Sequence, residues 1–180
     1  LVVFGASGAI GHRVVEAAVA AGWSVRAFTR NADRIDAMPG VTAVVGDAGD
    51  AEAVAAAIAG TGAVVNALGP TSNRREEVDA AVAGIRNILA GMRRHGVRRL
   101  VSLNGAAIDI AGERKPLGGR LASAIVKVFA GNVVRAKQRE YEEIAASDLD
   151  WTVVRPPRVT DTPAAGRAVP GDRLYSRRIS

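Results

Sequence analysis

The chain has 180 residues, 48% of them apolar and 23% charged, which suits one domain over 1–180 and excludes a disordered chain. It has no cysteine, so disulfide scaffolds, thiol catalysis and cysteine zinc sites are excluded, and no apolar run reaches the roughly 18 residues of a membrane span. The net charge of +6 comes from arginines spread along the chain, and with 4% aromatics there is no base-stacking platform for nucleic acid.

The elements alternate. Leu1–Phe4 reads as an apolar strand. Val14, Val15, Ala18 and Val19 then recur at helical spacing, with Gly22 as the stop. Val25–Thr29 is a second strand. A short helix is expected from Asn31, an N-cap residue, ending at Pro39-Gly40. Val41–Val45 is the third strand, and Asp50 caps a helix running through Ala59. Ala63–Leu68 is the fourth strand, and a long helix follows from Glu76 to about Arg94. Arg93-Arg94-His95 closes it, cations that complement a helix C-terminus. Arg99–Leu103 is the fifth strand.

The regularity then breaks over Gly105–Gly119, within which Gly112 to Gly119 reads as either a mobile lid or a disordered loop. Leu121–Phe129 and Val133–Ala146 carry helical patterns, and Trp151–Val154 is the sixth strand. Pro156-Pro157 opens an irregular tail with a short strand near Leu174-Tyr175. The chain starts in mid-strand and stops after Arg177-Arg178-Ile179-Ser180 with no closing element, so it is expected to be truncated at both ends.

Strand–helix alternation implies a parallel sheet with helices on both faces, an α/β three-layer arrangement. Ligands in such sheets sit beyond the carboxyl ends of the strands, where the strand order reverses. Directly after the first strand stands Gly5-Ala6-Ser7-Gly8-Ala9-Ile10-Gly11. The first glycine permits a tight turn, the second lets backbone approach a pyrophosphate, and the third lets the helix pack close to the sheet. The N–H groups and dipole of the helix start, with Ser7, Ala9 and Ile10, then hold phosphate. The same spacing is also met in plain tight turns, so the strand-to-helix position carries the argument. A triphosphatase loop is excluded, because no Gly-Lys-Ser/Thr follows.

The second strand ends in Thr29-Arg30-Asn31, where a cofactor with a free ribose 2′-hydroxyl would meet an acid. Arg30 instead suits a 2′-phosphate, with Arg34 one turn on to assist, so NADP(H) is expected over NAD. The alternative for each arginine is a solvated surface charge. After the third strand, Asp47 reads either as an acceptor for the adenine amino group, beside Ala48, or as a turn residue. Ala67, Leu68 and Gly69 offer the small side chains that a chain passing a ribose needs. His12 and His95 lie far apart with no carboxylates at ligand spacing, so no metal site is expected.

Together Gly5–Gly11, Arg30, Gly46-Asp47 and Asp150-Trp151-Thr152-Val153-Val154-Arg155-Pro156 resemble the atypical short-chain dehydrogenase/reductases. The tail from Pro156 to Gly166 is most similar to the flavin reductase/biliverdin-IXβ reductase branch. The resemblance implies a Rossmann fold, a doubly wound parallel sheet, with Pro156 near the cofactor. It implies that Lys137 takes the family's lysine position, holding ribose. The tyrosine of the wider family's Ser–Tyr–Lys set would stand four residues earlier, where this chain has Val133, which transfers no proton. At the serine position stand Asn104-Gly105, with Ser102 on the same face. Asn104, nearer the strand's carboxyl end, is the stronger candidate to touch nicotinamide or substrate. Tyr141 is expected to pack. The resemblance also implies that Arg158 lines the substrate pocket; the alternative is an exposed loop charge.

Two readings follow. The first is an NADPH-dependent reductase of a small planar acceptor such as a flavin, quinone or tetrapyrrole. The second is a non-catalytic NADP-binding regulator of the NmrA-like type. A sugar-nucleotide epimerase is disfavoured by Val133. The expected setting is cytoplasmic, with no nucleic acid or membrane partner and the oligomeric state left open.

Overall fold

The computed structural model describes residues 1–70, 72–110 and 117–156, with backbone alone at 117, 119–122 and 127. In chain order the elements are β1 (Val2–Phe4), α1 (Ala9–Ala20), β2 (Val25–Thr29), a 3-10 turn (Ala32–Arg34), β3 (Val41–Val45), α2 (Ala51–Ile58), β4 (Ala63–Asn66), α3 (Arg75–His95), β5 (Arg99–Leu103), α4 (Leu117–Phe129), α5 (Gly131–Ala145) and β6 (Asp150–Val154). The strands form one sheet in the order β3-β2-β1-β4-β5-β6. Every pairing is parallel. The order reverses between β1 and β4, the doubly wound Rossmann arrangement.

The two sheet faces bury separate clusters. On one, Phe4, Phe28, Val64 and Leu100 meet Val54 and Ile58 of α2, Ile85, Ile88 and Met92 of α3, and Ile144 of α5. On the other, Val3, Val25 and Ala27 meet Val15 of α1, with Ile35 and Met38 alongside. α3 presents Val78, Val82, Ile85, Leu89 and Met92 along one stripe. Each such large side chain, once buried, contributes about 1.5–3 kcal/mol.

Helix limits follow local chemistry. Gly22, at φ +83°, ends α1 with its N–H on the Val19 carbonyl. Gly96, at φ +67°, ends α3 directly after Arg93-Arg94-His95. The arginines there turn to surface pairs, Arg94 with Glu52 and Arg98 with Asp148. Asp50 caps α2, its Oδ1 accepting from the N–H groups of Glu52 at 2.9 Å and Ala53 at 3.1 Å. Asp50→Ala is expected to remove about 1 kcal/mol. A thermal melt would read this as a midpoint lower by about 2–4 °C.

Several boundaries differ from the sequence expectation. The helix expected after Asn31 is a single 3-10 turn, with Asn31 Oδ1 accepting from Asp33 N–H at 2.9 Å. Two turns before Pro39 are too few to nucleate a helix, and Ile35 and Met38 reach the core from irregular chain instead. β4 ends at Asn66 rather than Leu68, because the Asn66 side chain takes the Leu68 N–H at 3.1 Å. α4 starts at Leu117, earlier than its apolar pattern. The expected strand near Leu174-Tyr175 lies outside the described residues.

Among the described residues no helix is long and apolar enough to cross a membrane.

Candidate functional site

The register of the sheet brings most of the expected cofactor residues onto one edge. Phe4 pairs with Phe28 and Asn66, and Thr29 pairs with Val45. The chain beyond these residues therefore places Asp47, Arg30, the Gly5 loop and Ala67-Leu68-Gly69 side by side. Asn104 and Pro156 follow on the same edge, after β5 and β6.

The glycine loop is shaped by its neighbours. Gly5 has φ +76°, and a Cβ there would stand 2.8 Å from the carbonyl carbon and oxygen of Ala67. Its carbonyl accepts from Gly8 N–H at 3.0 Å, closing the turn. A Cβ on Gly11 would stand only 2.0 Å from Gly5 O, so α1 lies directly on the loop. Gly8 is the extended N-cap of α1 and supplies no capping side chain. The first-turn N–H groups of Ala9 and Ile10 thus have no capping side chain, beside half-buried Ser7. This is a cradle that fits a pyrophosphate.

The β2 end is a tight bend. Thr29 Oγ1 donates to Asn31 O at 3.0 Å and accepts Asn31 N–H at 3.2 Å. Arg30 and Arg34 are both exposed beyond it. After β3, Asp47 Oδ1 accepts Gly49 N–H at 2.7 Å. That is the turn role foreseen as its alternative, and it leaves Oδ2 on an exposed carboxylate. Ala48 is held from behind, its carbonyl accepting from Asn87 Nδ2 of α3 at 2.8 Å.

At the β4 and β5 ends lies a closed polar cluster. Lys137 on α5 donates through Nζ to Leu68 O at 2.8 Å, Leu103 O at 3.0 Å and Glu140 Oε2 at 2.7 Å. All three ammonium protons are thereby engaged. For a ribose hydroxyl to accept from Lys137, one carbonyl must give way. Glu140 Oε1 accepts from Ser102 Oγ at 2.7 Å and from Asn66 Nδ2 at 3.1 Å. Asn66 Nδ2 also donates to Ser102 Oγ at 3.1 Å. Asn66, Ser102 and Glu140 are all buried.

Asn104 is buried too, and faces α5 as Ser102 does. Its Nδ2 donates to Lys137 O at 3.0 Å, and its Oδ1 accepts Gly105 N–H at 2.8 Å. Tyr141 packs edge-on against Trp151 at 6.2 Å between ring centroids, the packing role expected of it. Arg155, before Pro156, donates to the carbonyls of Ala106 at 3.2 Å and Ile108 at 3.0 Å, tying the β5 exit to β6. Arg158 and residues 112–116 of the expected lid lie outside the described residues.

Sequence reasoning passed over Glu140. Its signal is an acid on the buried stripe of α5, between Ala136 and Ile144 at four-residue steps. It also passed over Asn66, read only as part of the fourth strand, and over the Arg155 contacts.

A family model described as NAD(P)H-binding matches residues 5–180. The oxidoreductase ylbE from Lactococcus lactis superposes with a TM-score of 0.76 at 18% identity, covering 92% of this chain and 72% of that one. ChuY, an anaerobillin reductase from Escherichia coli O157:H7, superposes with a TM-score of 0.71 at 25% identity, covering 91% of this chain and 75% of that one. A 3-beta-hydroxysteroid dehydrogenase from Mycolicibacterium neoaurum is 29% identical over 123 residues, 63% of this chain. The chain spans only 34% of that curated relative's length. With the glycine cradle, the reversal of strand order and the strand-end residues all on one edge, the chain belongs to the NAD(P)H-binding family whose model it matches over residues 5–180, in line with its resemblance to the atypical short-chain dehydrogenase/reductases.

Proposed function

We propose that this chain is an NADPH-dependent reductase passing hydride to a small planar acceptor, a flavin, quinone or tetrapyrrole, without a Ser–Tyr–Lys triad. The observation that carries this is the α5 face at the β4 and β5 ends. Val133 stands one turn before Lys137, and every Lys137 proton is already engaged. Among the described residues no tyrosine hydroxyl is presented there for the lysine to activate, which supports a proton from solvent and catalysis by proximity and orientation. ChuY, the 25%-identical neighbour, is an anaerobillin reductase, which supports the tetrapyrrole member of the class.

NADPH, when bound, supplies the hydride. The residues of this chain bind and orient it. The loop Gly5, Ser7, Gly8, Ala9 and Ile10 holds the pyrophosphate through backbone N–H groups. Arg30 and Arg34 take the 2′-phosphate, and Asp47 and Ala48 border the adenine. Ala67, Leu68 and Gly69 leave room for ribose. Lys137 and Asn104 form the floor of the nicotinamide half, and Pro156 closes its far side. Arg158, outside the described residues, is assigned to the acceptor by the family resemblance alone. We place this chain in the cytoplasm, its residues 1–180 forming one domain that acts on a small molecule.

The same α5 face favours a second reading, a non-catalytic NADP-binding regulator, since neither Val133 nor the engaged lysine does chemistry. One experiment separates them. NADPH is titrated by nicotinamide fluorescence with NADH as control, and flavin, quinone and tetrapyrrole acceptors are then added while NADPH consumption is followed. Tight binding with turnover is the expected result. Tight binding without turnover moves the assignment to the regulator, and no binding overturns both.

A further inference from the structure

Glu140 has no task in the hydride transfer described above, yet it is buried with its carboxylate accepting from three elements. Ser102 of β5 and Asn66 of β4 hold one oxygen, and Lys137 of α5 holds the other. A buried ion pair gives little net stability over apolar residues of the same volume, so stability alone is a weak reason for it. Its position is informative. Lys137 bridges Leu68 O and Leu103 O, the carbonyls where β4 and β5 end, and its Cε lies 3.9 Å from where a Cβ on Gly69 would stand. β4 to β6 form the half of a doubly wound sheet that receives the second nucleotide of a dinucleotide.

We propose that Glu140 neutralises Lys137 so that the floor beneath the nicotinamide carries no net charge, and that this pair thereby sets the relative affinity for the oxidised and reduced cofactor. The inference rests on the nicotinamide-cofactor reading above. The oxidised ring is cationic and the reduced ring is neutral. An unpaired ammonium in the floor would repel only the oxidised form, and an unpaired carboxylate would attract only that form. Because Ser102 and Asn66 hold the carboxylate from two strands, the compensating charge is fixed in place rather than borrowed from a mobile side chain.

The test compares wild type, Glu140→Gln, Lys137→Met and the double variant. NADPH is titrated by its fluorescence and NADP+ by displacement of NADPH. The ratio Kd(NADP+)/Kd(NADPH) is expected to rise about tenfold in Glu140→Gln and fall about tenfold in Lys137→Met, the scale of one uncompensated charge in a partly buried pocket. In the double variant it returns to within about twofold of wild type, since the floor is again neutral. A pair that only staples the strands would weaken both forms alike, so an unmoved ratio in the single variants overturns the proposal. If Glu140→Gln fails to fold, Lys137→Met against the double variant carries the same comparison, with the ratio rising when neutrality is restored. Wild type that binds neither form overturns the cofactor reading itself, whereas binding with an unmoved ratio overturns this inference alone.

Discussion

Gly11→Ala is expected to cost about 3 kcal/mol or more of stability, the upper range of overpacking. The added Cβ would stand 2.0 Å from Gly5 O, 2.7 Å from Gly5 C and 3.0 Å from Ala6 Cα. All three are backbone atoms, so no rotamer change relieves the contact. The loop has little room to retreat either, because even a Cβ on Gly5 would stand 2.8 Å from the Ala67 backbone. Relief requires lifting α1 off the sheet, which opens the cluster of Val3, Val15 and Ala27. A thermal melt should show a midpoint lower by about 6–12 °C, and NADPH should restore less of it than in wild type, since the cradle is displaced. Gly22→Ala is the control. Gly22 has φ +83° but nothing within 4 Å of an added Cβ. It should lose only about 1 kcal/mol of backbone strain and leave NADPH affinity alone. Equal losses from the two substitutions would count against close packing as the reason for Gly11.

Arg30→Asp is expected to weaken NADPH binding about a hundredfold while leaving NADH affinity unchanged or improved. A hydrogen bond to a charged group contributes about 1.5–3 kcal/mol, and the new carboxylate adds repulsion to its loss. Arg30 is exposed immediately beyond β2, next to the bend that Thr29 and Asn31 fix, so the substitution leaves the fold intact. Arg34→Ala, on the 3-10 turn, should cost about fivefold, the scale of a solvated charge pair. Fluorescence titration of both cofactors checks both. Unchanged NADPH affinity in Arg30→Asp would sink the NADP assignment and leave the nicotinamide assignment standing.

The strands Val25–Thr29, Val41–Val45 and Arg99–Leu103 were legible from the sequence to the residue. Each is a short run bounded by turn or cap chemistry, and those signals are local. The 3-10 turn after Asn31 was less legible, because a cap residue announces a helix start and not its length. The glycine loop was legible for the same local reason. Its spacing alone is ambiguous, but its place between a strand and a helix is not.

The lysine cluster was half legible. The resemblance picked out Lys137, and the helical pattern put Glu140 one turn further on the same helix. Nothing in the sequence paired Glu140 with Ser102, 38 residues earlier, or with Asn66, 74 residues earlier. Those contacts exist because β4 and β5 are neighbours and α5 crosses above their ends.

By itself, then, the sequence determined the order of strands and helices, the glycine turn between β1 and α1 and the arginine at the end of β2. Each depends on residues a few positions apart, where backbone geometry is set by neighbours. Only the tertiary structure decided what Lys137 and Asn104 do with their hydrogen bonds and that Glu140 joins Lys137, Ser102 and Asn66 in one cluster. Those questions turn on burial, and burial is a property of packed elements: a buried donor or acceptor must find its partner wherever the fold puts one.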